Sequence, residues 1–180
     1  MLLYGDGLGV AHVTLHMALR DVFRHLSTDA VLDKTRLLDG MLTRILGRRP
    51  RLGVSALNPH ASDGGLFGDE EETTIRPAVE AARAEGIDVS GPWPSDTLFA
   101  RARAGEFDGV VAMYHDQGHI ALKLLSGRRA VNITAGLPLV RTSVAHGTAY
   151  DIAGKGIADA SSLVEAARLA ALLARSASKD

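Results

Sequence analysis

The chain has 180 residues, with 20 Lys and Arg against 21 Asp and Glu, 46% hydrophobic residues and no cysteine. The formal net charge of -1 argues against a nucleic-acid surface driven by counterion release. Without cysteine there are no disulfides and no thiolate metal sites, so a metal must be held by histidine and carboxylate.

The length fits one domain, or one large lobe of something bigger. No run of about 18 apolar residues is present to suggest a membrane span. The N-terminal stretch MLLYGDGLGVAHV lacks a basic segment followed by a long apolar run. No secretory signal is expected, and the cytoplasm is the expected compartment.

Taken in order, VAHVTLHMALRD places His16 after an apolar stretch. A helix is predicted over Asp29 to Leu46, with Ser27, Thr28 or Asp29 as its cap and Gly47 as its terminator. Arg51 to Leu57 reads as an apolar strand, followed by the polar, glycine-rich loop NPHASDGG. A second helix is predicted from Glu71 to Glu85, and EGIDVSGPWP then reads as a short strand entering a Pro-Gly turn. DGVVAMY is a buried strand that runs into the polar cluster HDQGH, and RRAVNITAG (Arg128 to Gly136) is a β-rich run. Arg141 to Gly156 shows neither helical nor strand period and reads as a long loop of the kind that tends to be functional. A helix from Ser161 to Ala177 closes the chain, with RSASKD as a frayed tail.

Short apolar runs alternating with amphipathic helices predict an α/β fold: one region over 1–180, with a largely parallel sheet covered on both faces. In such sheets ligands bind beyond the carboxyl ends of the strands. His16, His60 and His115 all fall there. Three neutral imidazoles with an open position are a common way to hold a catalytic divalent cation. Asp63, Asp96 and Asp116 can serve as acceptors that fix the imidazole tautomers. The plainer alternative is that each histidine satisfies local backbone groups. Lys123, Asn132 and Arg141 form a second group suited to phosphate, while Arg128 and Arg129 read as solvated.

Five motifs carry a resemblance: HVTLHMALRDV, LNPHASDGG, GPWPSDTLF, MYHDQGHIALK and AVNITAGLPLVRTSVAHGTAYDIAGKG. Together, from about Gly9 onward, they resemble the PdxA family of 4-hydroxythreonine-4-phosphate dehydrogenases. That resemblance implies a three-layer α/β/α fold like the isocitrate and isopropylmalate dehydrogenases, without a Rossmann glycine fingerprint. It implies that this chain corresponds to the C-terminal half of a two-lobed dehydrogenase, with the N-terminal lobe largely missing. The family's metal histidines match His16, His60 and His115, and its substrate-binding residues match Lys123, Asn132 and Arg141. The run HGTAYDIAG resembles the loop that holds the adenosine part of NAD, which assigns His146, Gly147, Thr148 and Ala149 to the cofactor.

The implied chemistry is NAD- or NADP-dependent oxidation of 4-phosphohydroxy-L-threonine, with decarboxylation, in pyridoxal 5'-phosphate biosynthesis. One divalent cation (Zn, Mg, Co or Mn) assists, and a homodimer carries the metal site at its interface. Asp96, Asp116 or a metal-bound hydroxide is the proton-abstracting base. A four-carbon sugar-acid phosphate (threonate or erythronate 4-phosphate) or an aromatic dihydrodiol is an alternative substrate. An inactive metal-binding or oligomerisation module left by truncation is the alternative of another class. The family usually carries an apolar residue where this chain has His119, which makes His119 either an extra neighbour of the site or a plain substitution.

Overall fold

In the computed structural model residues 1–177 are described, apart from the side chains of Arg128 and Ala177. The last three residues of the expected frayed tail, and the expected solvation of Arg128, lie outside the described residues. Arg129 is solvated as expected, and it pairs with Asp6 at 2.9 Å.

Seven strands form one sheet: β1 (Leu2–Gly5), β2 (Leu8–His12), β3 (Leu52–Ser55), β4 (Val89–Trp93), β5 (Gly109–Ala112), β6 (Val131–Ile133) and β7 (Thr142–Val144). Their order across the sheet is β4-β3-β5-β2-β1-β6-β7. The pairs β3/β4, β3/β5 and β2/β5 are parallel, whereas β1/β2, β1/β6 and β6/β7 are antiparallel. The sheet is therefore mixed rather than largely parallel. The reason lies at the N-terminus: Asp6 and Gly7 both adopt left-handed φ, 48° and 84°. That fits the type I′ turn that favours Asp-Gly and folds β1 back on β2 as a hairpin.

The helices are α1 (Val22–His25), α2 (Thr28–Leu46), α3 (Arg76–Ala84), α4 (Ser95–Arg103), α5 (His115–Ser126) and α6 (Ser161–Ala177). Of the three candidate caps, Ser27 does the work for α2: its Oγ accepts the Ala30 amide at 3.2 Å, and Gly47, left-handed at φ 67°, ends the helix. One apolar cluster joins α2, α3 and α6 to the sheet through Leu38, Leu42, Ile75, Val79, Leu169 and Leu173. A second, on the opposite face, joins α4 and α5 through Leu98, Phe99 and Leu122. The three-layer α/β/α expectation holds.

Three expectations change. The helix predicted over Glu71 to Glu85 opens with a wide π-turn, Glu71–Ile75, before α3 begins. The strand expected to end at a Pro-Gly turn instead continues through Pro92 to Trp93. β4 is the sheet's edge, where a residue without an N–H breaks no ladder. The segment from Arg141 to Gly156 is not wholly irregular, because it contains β7 and a short helical turn, Tyr150–Ile152.

Candidate active site

His16, His60 and His115 follow the carboxyl ends of β2, β3 and β5. Those strands are adjacent and parallel, in the order β3-β5-β2. All three histidines thus stand at one edge of the sheet. The chain leaving β2 is tied to the end of β5 by the Val13 and Thr14 amides, which donate to Ala112 and Met113, and by Thr14 Oγ1, which donates to Met113 O at 2.8 Å. This brings the His16 ring to 5.7 Å from that of His115, centroid to centroid.

His115 is the first residue of α5. Its Nδ1 lies 2.6 Å from Asp116 Oδ1. A carboxylate only accepts, so Nδ1 carries the proton, and Nε2 is left with a lone pair free for a ligand. Of the three carboxylates considered for this purpose, Asp116 alone is hydrogen-bonded to a histidine among the described residues. Asp63 and Asp96 are exposed.

His60 lies on a backbone of unusual shape. His60, Ala61, Ser62 and Asp63 have φ of 54°, 55°, 66° and 45°, and Gly64 and Gly65 continue the left-handed run. Left-handed backbone costs a non-glycine residue roughly 1–2 kcal/mol. Four in succession persist only where the surroundings enforce them. The His60 ring is exposed and meets Phe67 edge-on at 6.1 Å. Within this one chain the three histidines do not converge: among the described residues, no three His or carboxylate groups are placed to share a metal ion.

Two further histidines complete a cluster that the spacing of the first three did not disclose. His119 stacks on His115 with centroids 3.7 Å apart, and its Nδ1 lies 3.0 Å from Nε2 of His12, at the end of β2. The same Nδ1 approaches the His115 carbonyl at 3.2 Å. That carbonyl only accepts, so His119 Nδ1 is the donor and His12 Nε2 accepts. His12 then carries its proton on Nδ1, which is buried without a partner among the described residues. Burial, followed by the neighbouring imidazoles, pushes His12 down to about 3 and His119 to about 4. His119 is therefore a neighbour of the site. A legible signal was the i, i+4 spacing of His115 and His119, which puts both on one helical face.

Gln117 ties the pieces together. Its Oε1 accepts the Met113 amide at 2.7 Å, and its Nε2 donates to Ala56 O and Ser95 Oγ at 2.7 and 2.8 Å. The ends of β5 and β3 and the start of α4, which carries Asp96, are thereby locked in one frame.

The anion-binding candidates are distributed. Asn132 is the middle residue of β6 and pairs with Leu3, sharing the face that α5 covers, and its Oδ1 is buried without a partner among the described residues. Arg141 donates to Thr134 Oγ1 at 2.9 Å, and its carbonyl accepts the Thr134 amide. The register aligns Ile133 with Leu2, Ala11 and Val111. One residue beyond that row come His12, Ala112, Thr134 and Arg141, so Arg141 stands at the same edge as the histidines.

Lys123 lies eight residues along α5 from His115, about 12 Å at 1.5 Å per residue. It lines a cavity of about 920 Å³ together with His146, Gly147, Thr148 and Ala149. Ala149 is left-handed there, at φ 49°, and His146 Nδ1 donates to the Gly147 carbonyl at 2.9 Å. The volume is at the upper end of the range for cofactor-sized ligands. The structure thus gathers the expected nucleotide loop and Lys123 at one cavity. Asn132 and Arg141 are not part of its lining.

Among known proteins, 4-hydroxythreonine-4-phosphate dehydrogenase of Beijerinckia indica is 55% identical over 165 residues, which cover 91% of this chain and 48% of that protein. D-threonate 4-phosphate dehydrogenase of Salmonella typhimurium is 52% identical over 174 residues, covering 97% of this chain and 53% of that protein. The crystal structure of 4-hydroxythreonine-4-phosphate dehydrogenase from Klebsiella pneumoniae superposes with a TM-score of 0.84 at 46% identity, over 96% of this chain and 53% of that one. A terephthalate 1,2-cis-dihydrodiol dehydrogenase from Burkholderia xenovorans gives 0.78 at 36% identity, over 95% and 54%. The chain spans about half the length of the relatives it matches. The family model described as pyridoxal phosphate biosynthetic protein PdxA matches residues 1–170, and the chain belongs to that family.

Proposed function

We propose that this chain supplies the metal-, phosphate- and nucleotide-binding lobe of an NAD- or NADP-dependent dehydrogenase of phosphorylated hydroxy acids. The observation that carries the reading is the placement of His16, His60 and His115 beyond three adjacent parallel strands. On this reading 4-phosphohydroxy-L-threonine is oxidised and decarboxylated in pyridoxal 5'-phosphate biosynthesis, in the cytoplasm. D-threonate 4-phosphate is the second candidate, because relatives so named are as similar as those named for the threonine derivative. Lys123, Asn132 and Arg141 favour a phosphorylated substrate over a dihydrodiol.

The donor set suits a divalent cation. His115 offers Nε2 because Asp116 holds Nδ1–H. Among the described residues of the chain, three ligands do not meet. The site is therefore completed at the interface of a homodimer, with ligands shared between subunits. Exposed Met17, Leu19, Phe23, Leu66 and Phe67 flank His16 and His60 in sequence and suit such an interface.

When bound, the cation (Zn, Mg, Co or Mn) acts as a Lewis acid on the substrate hydroxyl, and the nicotinamide accepts hydride. The chain's own residues orient and hold. Arg141 and Lys123 neutralise phosphate, and Asn132 supplies a neutral hydrogen-bonding amide. Asp116, with its carboxylate largely in solvent, and Asp96, in the first turn of α4, are the carboxylates available to accept a proton. His146 to Ala149 wrap the adenosine.

The test is a steady-state assay of this chain, and of a longer form bearing an N-terminal lobe, with NAD or NADP, a divalent metal and each candidate substrate. Metal-dependent turnover of one phosphorylated hydroxy acid is expected from the longer form. Turnover of the dihydrodiol alone would sink the phosphate reading, and metal binding or self-association without any turnover would favour the inactive module.

A further inference from the structure

The loop that carries His60 is held by one buried carboxylate. Glu71 is only 2% exposed. Its Oε1 accepts the backbone amides of Leu57 and Asn58 at 2.8 and 2.7 Å. Its Oε2 accepts the Asn58 side-chain amide at 3.0 Å and the Ser62 hydroxyl. These four donors lie before and within the left-handed run: Leu57 and Asn58 come just before His60, and Ser62 lies inside it. Glu71 itself opens the π-turn Glu71–Ile75. Such wide turns are rare and cluster at functional sites. The neighbouring Glu70 adds a further bond, Asn58 Nδ2 to Oε2 at 2.7 Å.

We propose that Glu71 is a positioning residue for the metal site: it enforces the left-handed backbone that presents the His60 imidazole at the sheet edge. A hydrophobic residue at position 71 would leave two backbone amides and one hydroxyl without the acceptor they have here and the Asn58 side-chain amide with Glu70 alone, and the run from His60 to Asp63 would relax. The role requires a carboxylate, because both oxygens take donors and neither gives one. This inference rests on the reading of His60 as a metal ligand.

The test uses the purified chain, Co²⁺ alone as the probe, and two readouts other than turnover: the affinity and visible absorption of bound Co²⁺, and hydrogen exchange at the Leu57 and Asn58 amides without metal. Glu71→Ala is expected to speed exchange at both amides at least tenfold and to weaken Co²⁺ binding by roughly 10- to 100-fold. Glu71→Gln, which keeps one accepting oxygen, should recover part of both. If Glu71→Ala does not fold, Ser62→Ala removes a single donor and should weaken Co²⁺ binding several-fold. His60→Ala should weaken Co²⁺ binding as much as Glu71→Ala while leaving exchange at Leu57 and Asn58 unchanged.

Faster exchange with unaltered Co²⁺ affinity in the Glu71 and Ser62 variants would overturn the positioning role and leave the metal reading standing. Unaltered Co²⁺ affinity in His60→Ala would remove His60 from the metal site, and with it the purpose assigned to Glu71.

Discussion

The two ends of β5 treat polar groups in opposite ways. At the amino end, Asp108 is 8% exposed, and its oxygens are fully engaged. Arg48 grips it in a fork at 2.8 and 2.9 Å, and Arg51 donates its amide at 2.8 Å and its Nε at 3.3 Å. The Arg48 guanidinium first of all, helped by Arg51, holds the Asp108 carboxyl far below the usual carboxylate range. At the carboxyl end the chain runs into the rings of His115 and His119, and His12 Nδ1 beside them is buried without a partner among the described residues. A group saturated by fixed charges is structural, and one left with open valences is available to a ligand. The contrast separates the scaffold edge of this sheet from the site edge without reference to any relative.

The largest expected effect breaks the scaffold edge. Asp108→Asn removes the charge that Arg48 and Arg51 converge on. It is expected to lower unfolding stability by about 2–4 kcal/mol, below the value for a wholly buried pair because both arginines are half exposed. Urea unfolding followed by the fluorescence of Trp93 measures this. Co²⁺ affinity of the folded variant should be unchanged. A loss of metal affinity would show that the two ends are coupled.

Next comes the packing behind the site edge. A Cβ at Gly118 would lie 2.4 Å from His12 Nε2 and 2.8 Å from Val10 Cγ1. Gly118→Ala is therefore expected to cost about 1–3 kcal/mol by overpacking and to part His12 from His119. Unperturbed imidazole resonances of His12 and His119 in the variant would mean that the contact between them does not depend on this glycine.

How much of this was legible beforehand depends on where polar residues fall. The helices α2 and α6 announced themselves, because long runs with a clear cap or few breakers dominate any window. α5 did not, because its first turn, His115-Asp116-Gln117-Gly118, is polar and spends its side chains on the site rather than on a core. The hairpin β1–β2 carried a signal in Asp6-Gly7, but its strands are apolar on both faces and lack the alternation that marks a strand. The sheet edge reached by His16, His60 and His115 was readable from strand-then-polar order alone. The left-handed backbone at His60, the anchor at Glu71 and the pairing of His12 with His119 were not. Each depends on contacts between residues 9 to 107 positions apart, which no local pattern encodes.

Acid should separate the two edges. In the unfolded chain a histidine takes up a proton near pH 6.5, whereas folded His12 resists to about 3. Below pH 6.5 the unfolded state binds more protons, so stability is present above that value and is lost as pH falls towards 3. His12 alone should cost about 1.4 kcal/mol by pH 5.5. Asp108 is depressed in the carboxylate range, so its contribution persists above its unfolded value near 3.8 and is lost only below it. A metal-free protein equally stable at pH 7 and pH 5.5 would remove the burial argument for His12.

The smallest effect is the most discriminating. His119→Leu alone deprives His12 Nε2 of its donor, in a ring whose Nδ1 is already unpartnered, and should cost about 1–3 kcal/mol at pH 7. His12→Leu with His119→Leu replaces both members by apolar side chains of similar bulk. Removing a buried polar pair together is often near neutral, because neither partner is left to pay desolvation. The double variant is therefore expected within about 1 kcal/mol of the parent at pH 7 and should lose most of the stability slope between pH 6.5 and 5. A double-mutant cycle in urea gives both quantities. If the two losses simply add, the histidines are independent neighbours, and the pair described at this edge is not an energetic unit.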